Sequence, residues 1–401
     1  MEHVIVIGAG QAGSSCVVKL RNLGFDGKIT LIGGEDAPPY QRPPLSKAYL
    51  LGEMELDRLY LRPLSLYKEQ EIDLLLGTRV TAVDVAAKTV VTDSERLEYS
   101  DLVFTTGSVP RLLPAAIGGD LDGVYTVRDL ADVDAMAPEF IEGNRVLIIG
   151  GGYIGLEAAA VASKKGLRVT LVEMEDRILK RVAAQETSDY FRDLHTSHGV
   201  NILEGVGLKS LNGENRVSTA SLSNGETLDI DFAIVGIGIA PASDLAEAAG
   251  VTIENGISTD ATGRTSAANV WAAGDCASFL YRGERIRLES VPHAIDQAEL
   301  VAENIMGAEK EYVAKPWFWS DQFDVKLQIA GLNSGFDRVV SRVSGDARSF
   351  WYYRGGELLA VDAANAPREY MVGKRLIEAG KSPPAELVAD PATDLKVLMR
   401  G

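Results

Sequence analysis

Two six-residue stretches, Gly8-Ala9-Gly10-Gln11-Ala12-Gly13 and Gly150-Gly151-Gly152-Tyr153-Ile154-Gly155, each follow a short apolar run and have the spacing of a turn that cradles phosphate. In such a turn the first glycine permits the tight reversal, the second lets a pyrophosphate reach the backbone, and the third lets the next helix pack close to the strand. The helix N-terminus then offers unpaired N–H groups and the positive end of its dipole to the anion. An acid about 20 residues further on completes the fingerprint by accepting from a ribose hydroxyl. Glu35 stands 22 residues beyond Gly13, and Glu173 stands 18 beyond Gly155. A lone glycine turn joins many strands to helices for structural reasons alone. Two complete copies, each with strand, helix and acid in register, predict two bound dinucleotides. Gly8, Gly10, Ala12 and Gly13 line the first site; Gly150, Gly152, Ile154 and Gly155 line the second.

Two such sites in one chain have a joint use if one holds a permanent flavin and the other a nicotinamide that exchanges. A nicotinamide delivers two electrons as hydride, whereas a flavin accepts hydride and releases electrons singly. The protein's part is to stack the two rings with reacting atoms about 3–3.5 Å apart.

The elements that must position these residues repeat along the chain. Strand Val4 to Ile7, helix Gly13 to Leu23, exit glycine Gly24 and strand Lys28 to Ile32 open a parallel α/β unit. From Arg145 the pattern restarts: strand, glycine turn, helix to about Lys165, exit at Gly166, then "RVTLVE". Between them lie a proline-bearing loop, "APPYQRPPLSKAYL", and β-branched segments that read as strands. "ANVWAAGDCA" reads as another buried strand that either α/β unit could own, and a helix is expected from about Val291 to Met306. "KPWFWSDQF" opens a third region of strands and a final helix, an α+β domain.

Composition bounds the partners. The 401 residues carry a net charge of -17, which repels nucleic acid and anionic lipid. No apolar run approaches the roughly 20 residues of a membrane span. The first strand begins at His3 or Val4, too early for a cleavable leader, so a cytoplasmic location is expected. Cys16 and Cys276 are the only cysteines and form no C-x-x-C, so redox chemistry must come from a bound cofactor. His195 and His198 have a spacing a metal could use, but no further Cys or His lies near, and no metal is expected. His293, after Pro292, suits either a place near the flavin or packing at a helix start.

With both fingerprints, "RPPLSKAYL", "GDCA", "ESVPHAIDQA" and "PWFWSDQF" in order, the chain resembles the FAD-dependent ferredoxin reductases of bacterial oxygenase systems, in the group of putidaredoxin reductase and rhodocoxin reductase. The resemblance runs from about residue 3 to about 380. It implies an α/β fold of two Rossmann-like domains arranged as in glutathione reductase, plus the C-terminal α+β domain. The FAD-binding domain would be residues 1–112 and 240–312, the NADH-binding domain 113–239 and the C-terminal domain 313–401.

By the same resemblance the first site holds FAD, with Glu35 on the ribose and Asp275 on the ribityl or pyrophosphate part. Arg42, Val80, Thr106, Gly107, Arg128 and Val291 join the FAD contacts. Lys47 lies beside the flavin ring and pairs with Glu157, and Trp319 stands near flavin and nicotinamide. Gly236, Gly238 and Glu289 form the nicotinamide-side wall. Glu173 binds the adenosine ribose and favours NADH over NADPH; Arg177, Lys180 and Arg181 follow closely and soften that inference, either clamping phosphates or standing as ordinary surface bases.

The expected activity is NADH:ferredoxin oxidoreduction. Hydride passes from NADH to FAD, and single electrons then go to a [2Fe-2S] ferredoxin that feeds a haem-thiolate monooxygenase of the cytochrome P-450 type or a Rieske-type dioxygenase. Such ferredoxins are acidic, so docking would use a local basic patch drawn from Arg62, Arg287, Lys326, Arg338 and Lys374. Three alternatives stand beside this reading. One is reduction of another small acceptor, a quinone or the ascorbate radical. Another is a flavin-binding signalling role like that of apoptosis-inducing factor. The third, a cysteine-based disulfide reductase or peroxidase, is opposed by the absence of a C-x-x-C.

Overall fold

The protein is described here by a computed structural model covering residues 2–399. The chain forms two compact units. The first gathers the N-terminal segment up to Arg42 with Glu55–Val109 and Ile239–Pro316; the second gathers Pro43–Met54, Pro110–Gly238 and the segment from Trp317 onward. The loop Pro43–Met54 therefore belongs to the second unit although its sequence neighbours on both sides belong to the first.

The first unit is built on a parallel sheet of five strands, in the order Val270–Ala272, Asp101–Phe104, His3–Ile7, Lys28–Ile32, Ile72–Leu75. A central parallel strand is covered on both faces, which is why "HVIVI" is apolar without alternation. Val4 and Val6 pack with Cys16, Val17 and Leu20 of the helix Gln11–Asn22 and with Ala298 and Val301 of the helix Val291–Ile305. Ile5 and Ile7 face the other way, toward Val90, Phe104 and Cys276. The "ANVWAAGDCA" strand, which the sequence left between two owners, is in this sheet.

The second unit repeats the device. Its parallel sheet runs Asn201–Glu204, Arg168–Glu173, Arg145–Ile149, Phe232–Val235, Val124–Tyr125. The same unit holds an antiparallel five-stranded sheet, ordered Trp317–Gln322, Val325–Gly331, Glu357–Ala364, Ala347–Arg354, Arg338–Ser344, with the helix Pro367–Glu378 packed over Trp351 and Val361.

In each parallel sheet the strand that leads into a glycine turn is flanked on one side by the next strand in sequence and on the other by a much later one. This is the topological switch point, where open α/β sheets bind ligands beyond the carboxyl ends of their strands.

Candidate functional site

The glycines explain themselves in two different ways. Gly8 has φ +115°, and a Cβ on it would stand 2.2 Å from the Thr105 carbonyl oxygen; a Cβ on Gly13 would stand 2.0 Å from the Gly8 oxygen. In the second turn Gly150 has φ +109° with the Gly236 oxygen 2.3 Å from its Cβ position, and Gly155 has the Gly150 oxygen at 2.1 Å. The chain itself forbids side chains there. Gly10 and Gly152 differ: their φ values are −93° and −81°, open to any residue, and nothing lies within 4 Å of either Cβ position. Glycine at these positions leaves room for a group from outside the chain. Each is also the N-cap of its helix, with no side-chain cap and no acid in the first turn, so the orphan N–H groups are left for an anion.

The two acids sit beside their turns and are held. Glu35 accepts from Tyr40 Oη at 2.5 Å and from Arg42 at 2.6 Å, so Arg42, expected on the cofactor, has its guanidinium on the Glu35 carboxylate. Glu173 accepts from the Gly151 N–H at 2.7 Å and the Glu175 N–H at 2.8 Å, which ties it to the second turn. Each carboxylate oxygen retains a further lone pair for a ribose hydroxyl.

The first unit gathers several of the other expected residues near its turn. Gly274 stands where a Cβ would meet the Ala12 Cβ at 3.0 Å and the Ala294 Cβ at 3.7 Å. This brings the neighbouring Asp275 up to the first turn and to the start of the helix that Val291 opens. Asp275 accepts from Ser108 Oγ at 2.9 Å, and Thr106 donates to the Ala242 carbonyl at 2.6 Å, beside Gly107 at φ +70°. Val80 begins a strand packed on the second face of the sheet. Glu289 pairs with Arg287 at 2.5 Å. His293 is buried, bonded to the Tyr312 hydroxyl at 2.8 Å and stacked on Phe279, with its pKa lowered by burial to about 4; helix-start packing accounts for it.

Lys47 and Glu157 meet in the second unit. Lys47 Nζ lies 2.6 Å from Glu157 Oε2, which also accepts from Ser46 Oγ at 2.7 Å; Glu157 Oε1 accepts from Ser320 Oγ at 2.7 Å. The carboxylate is 2% exposed, so the ammonium and two hydroxyls replace its water. The helix Tyr153–Lys164 presents Glu157 one turn after Tyr153, whose ring packs on Phe318, and Ser320 is two residues further along that same strand. Trp319 points to the opposite face, where its half-buried ring lies 5.6 Å from that of Trp317, as the alternation of "PWFWSDQF" requires.

Around the second turn, Gly238 has φ +100°, and its Cβ position is 3.6 Å from Arg181. Of the three bases after Glu173, Arg177 is occupied by Ser188 and the Ala183 and Ala184 carbonyls, and Lys180 by Glu175 and Asp176. Arg181 alone is exposed without an ion pair or hydrogen bond among the described residues. Arg128 lies in this unit too, its N–H on Asp132.

The expected basic patch fares unevenly. Arg287 is 11% exposed and holds Glu289 and the Asp275 carbonyl, so it is a packing residue and not a docking one. Arg338 and Lys374 are paired with Glu386 and Glu378, while Arg62 and Lys326 are exposed. No group of three or more metal-ligating side chains occurs among the described residues. No described helix is long and apolar enough to cross a membrane.

Sequence reasoning missed Ser46, Ser320 and Gln322 around Glu157, and His195, which stands out in the sequence only by its spacing from His198, lies at the end of the contacts that run from Glu157 Oε1 through Ser320 and Gln322. The available signal was two polar residues, Ser320 and Gln322, on the buried face of an aromatic strand.

The geometry has counterparts among known proteins. Residues 2–298 match the pyridine nucleotide-disulphide oxidoreductase family and residues 317–399 the reductase C-terminal family. The chain is 43% identical to the ferredoxin–NAD(P)(+) reductase fdr of a Sphingomonas species, over 99% of this chain and 97% of the relative. It is 39% identical to rhodocoxin reductase of Rhodococcus erythropolis, over 98% and 93%. Among solved structures it is similar to the reductase in the covalent putidaredoxin reductase–putidaredoxin complex, with a TM-score of 0.96, 37% identity, and coverage of 100% of this chain and 98% of that one.

Proposed function

The chain belongs to the pyridine nucleotide-disulphide oxidoreductase family, and from that premise we propose that it is an FAD-dependent NADH:ferredoxin oxidoreductase serving a [2Fe-2S] ferredoxin. That ferredoxin in turn supplies a haem-thiolate monooxygenase or a Rieske-type dioxygenase. The observation that carries the reading is the pair of open glycines, Gly10 and Gly152, each at a switch point and each with a bare helix N-terminus behind it.

FAD, when bound, supplies a ring that takes up hydride and gives up electrons singly. The rest is the work of this chain's residues. The first turn and its helix hold the FAD pyrophosphate, Glu35 the adenosine ribose and Asp275 the ribityl side; Arg42, Val80, Thr106, Gly107, Arg128 and Val291 complete that site. The second turn holds NADH, with Gly236, Gly238 and Glu289 on the nicotinamide side and Arg181 on a phosphate. Lys47, steadied by Glu157, fixes a positive charge where charge develops during hydride transfer, and Trp319 flanks the reacting rings. The domains we assign are 1–112 with 240–312 for FAD, 113–239 for NADH and 313–401 as the C-terminal domain, with the segment Pro43–Met54 of the first stretch belonging to the second compact unit.

Two features sharpen this reading. NADPH is disfavoured because Glu173, held at the second turn by the Gly151 and Glu175 N–H groups, would set its charge against the extra phosphate, while Arg177 and Lys180 are engaged by Ser188, main-chain carbonyls, Glu175 and Asp176. Thiol relay is disfavoured because Cys16 and Cys276 are free, buried and on opposite faces of one sheet, with burial pushing the Cys16 thiol up to about 12 and raising that of Cys276.

The test is cytochrome c reduction by FAD-loaded protein with NADH or NADPH, alone and with a panel of [2Fe-2S] ferredoxins. Strong NADH-dependent stimulation by a ferredoxin is expected. Flavin reduction by NADH that no ferredoxin accelerates would move the acceptor to a quinone or a radical and sink the ferredoxin assignment.

A further inference from the structure

Glu157 does not end the polar contacts of the second unit. Ser320 Oγ, which donates to Glu157 Oε1, accepts from Gln322 Nε2 at 3.1 Å, and Gln322 Oε1 lies 2.8 Å from His195 Nε2. Ser320, Gln322 and His195 are each 0% exposed. His195 comes from the helix Gln185–Ser197 and Glu157 from the helix Tyr153–Lys164, so the chain of contacts crosses from one helix to the other through a single strand.

The direction of every hydrogen in this chain follows from its end. A carboxylate only accepts, so Ser320 must spend its one hydrogen on Glu157 and can take only a donor from behind. Gln322 must then turn its amide nitrogen toward Ser320 and its oxygen toward His195. An oxygen there requires a hydrogen on His195 Nε2. The imidazole is thus fixed as the neutral Nε2–H form, with Nδ1 as the bare nitrogen, and Nδ1 is the ring atom that has no partner in the structure. If Gln322 were flipped, Ser320 would have to donate backward and present a lone pair to a buried anion.

We infer that His195 is a positioning residue for the Lys47–Glu157 pair, acting through Gln322 and Ser320 to hold Glu157 Oε1 while Lys47 and Ser46 hold Oε2. Clamped at both oxygens, the carboxylate cannot rotate, and the ammonium on it keeps one place. The bearing of this on hydride transfer rests on the function proposed above. No proton need travel along the chain, because the amide sets orientation without changing its own protonation.

The test uses FAD-loaded, full-length protein. Histidine nitrogen-15 NMR of the wild type near neutral pH is expected to show the His195 ring protonated at Nε2 and bare at Nδ1. A ring protonated at Nδ1, or at both nitrogens, overturns the inference whatever the enzyme does. In rapid mixing with NADH, His195→Phe and Gln322→Leu are each expected to slow flavin reduction about tenfold at saturating NADH, with FAD content and NADH affinity unchanged. His195→Gln, whose amide places a donor near Nε2, is expected to restore most of the rate. His195→Phe added to Ser320→Ala should cost nothing more, since the chain is already cut. Folded, FAD-loaded His195→Phe with the wild-type rate, His195→Gln as slow as His195→Phe, or losses that multiply in the double variant would each refute the inference. Should His195→Phe fail to fold, Gln322→Leu with and without Ser320→Ala decides in its place. Should NADH reduce no variant and no wild type, the proposed function falls, and the tautomer alone decides whether His195 positions Glu157.

Discussion

Removing the amine of Lys47, as in Lys47→Met, would leave Glu157 buried with two hydroxyls and no countercharge. Breaking such a pair from one side costs about 3 kcal/mol or more, so the variant should unfold at lower temperature, and FAD-loaded enzyme should take hydride from NADH more slowly. Calorimetry and rapid mixing check the two effects separately. Lys47→Arg would not restore the rate, because a planar guanidinium cannot occupy the place of an ammonium that also bonds the Pro43 carbonyl. Glu173→Gln keeps an acceptor for one of the two main-chain N–H groups it now serves while removing its charge. The ratio of kcat/KM for NADH over NADPH should then fall about tenfold, measured by steady-state reduction of ferricyanide.

The turn-and-helix elements yield a sharper contrast, since the three glycines of one motif are glycines for different reasons. Gly13→Ala drives a methyl to within 2.0 Å of the Gly8 oxygen and should prevent stable folding, whereas Gly10→Ala meets nothing in the chain. The Gly10 variant should fold with apo stability within about 0.5 kcal/mol of wild type yet bind FAD much more weakly, as flavin fluorescence titration would report. These elements were legible in the sequence because their signals are local: apolar runs, glycine spacing, exit glycines at Gly24 and Gly166 and an acid at a fixed distance. The clamp on Glu157 was not, because it joins residues 46, 157, 195, 320 and 322, and no local pattern links them. His195 was noticed for its spacing from His198, yet its partner is a glutamine more than 120 residues later in the chain. The same limit applies to Arg287, a base that sequence assigns to the surface and packing places beneath it.

For the molecule as a whole, buried titratable groups set the response to acid. His195 and His293 have folded pKa values of about 4 against 6.5 for an ordinary histidine, both through burial. Their neutral forms are favoured on folding, so the stability they contribute is complete above about pH 6.5 and is lost as pH falls toward 4. Asp362, buried beneath Tyr352 and Thr187, has the opposite sign: its pKa rises from 3.8 to about 6, so its contribution weakens as pH rises through 6. Each shift is worth about 3 kcal/mol at its limit, so the two histidines outweigh the one acid and the melting temperature should fall between pH 7 and 4.5. Asp362→Asn should make that fall steeper and His195→Gln should make it shallower, as differential scanning fluorimetry across that range would record. The same burial that removes Cys16 and Cys276 from catalysis has a practical side. With both native thiols sealed on opposite faces of one sheet, a cysteine introduced anywhere on the surface would be the sole site open to a maleimide, so a dye, spin label or tethered electron carrier could be attached at one chosen point without removing either native residue.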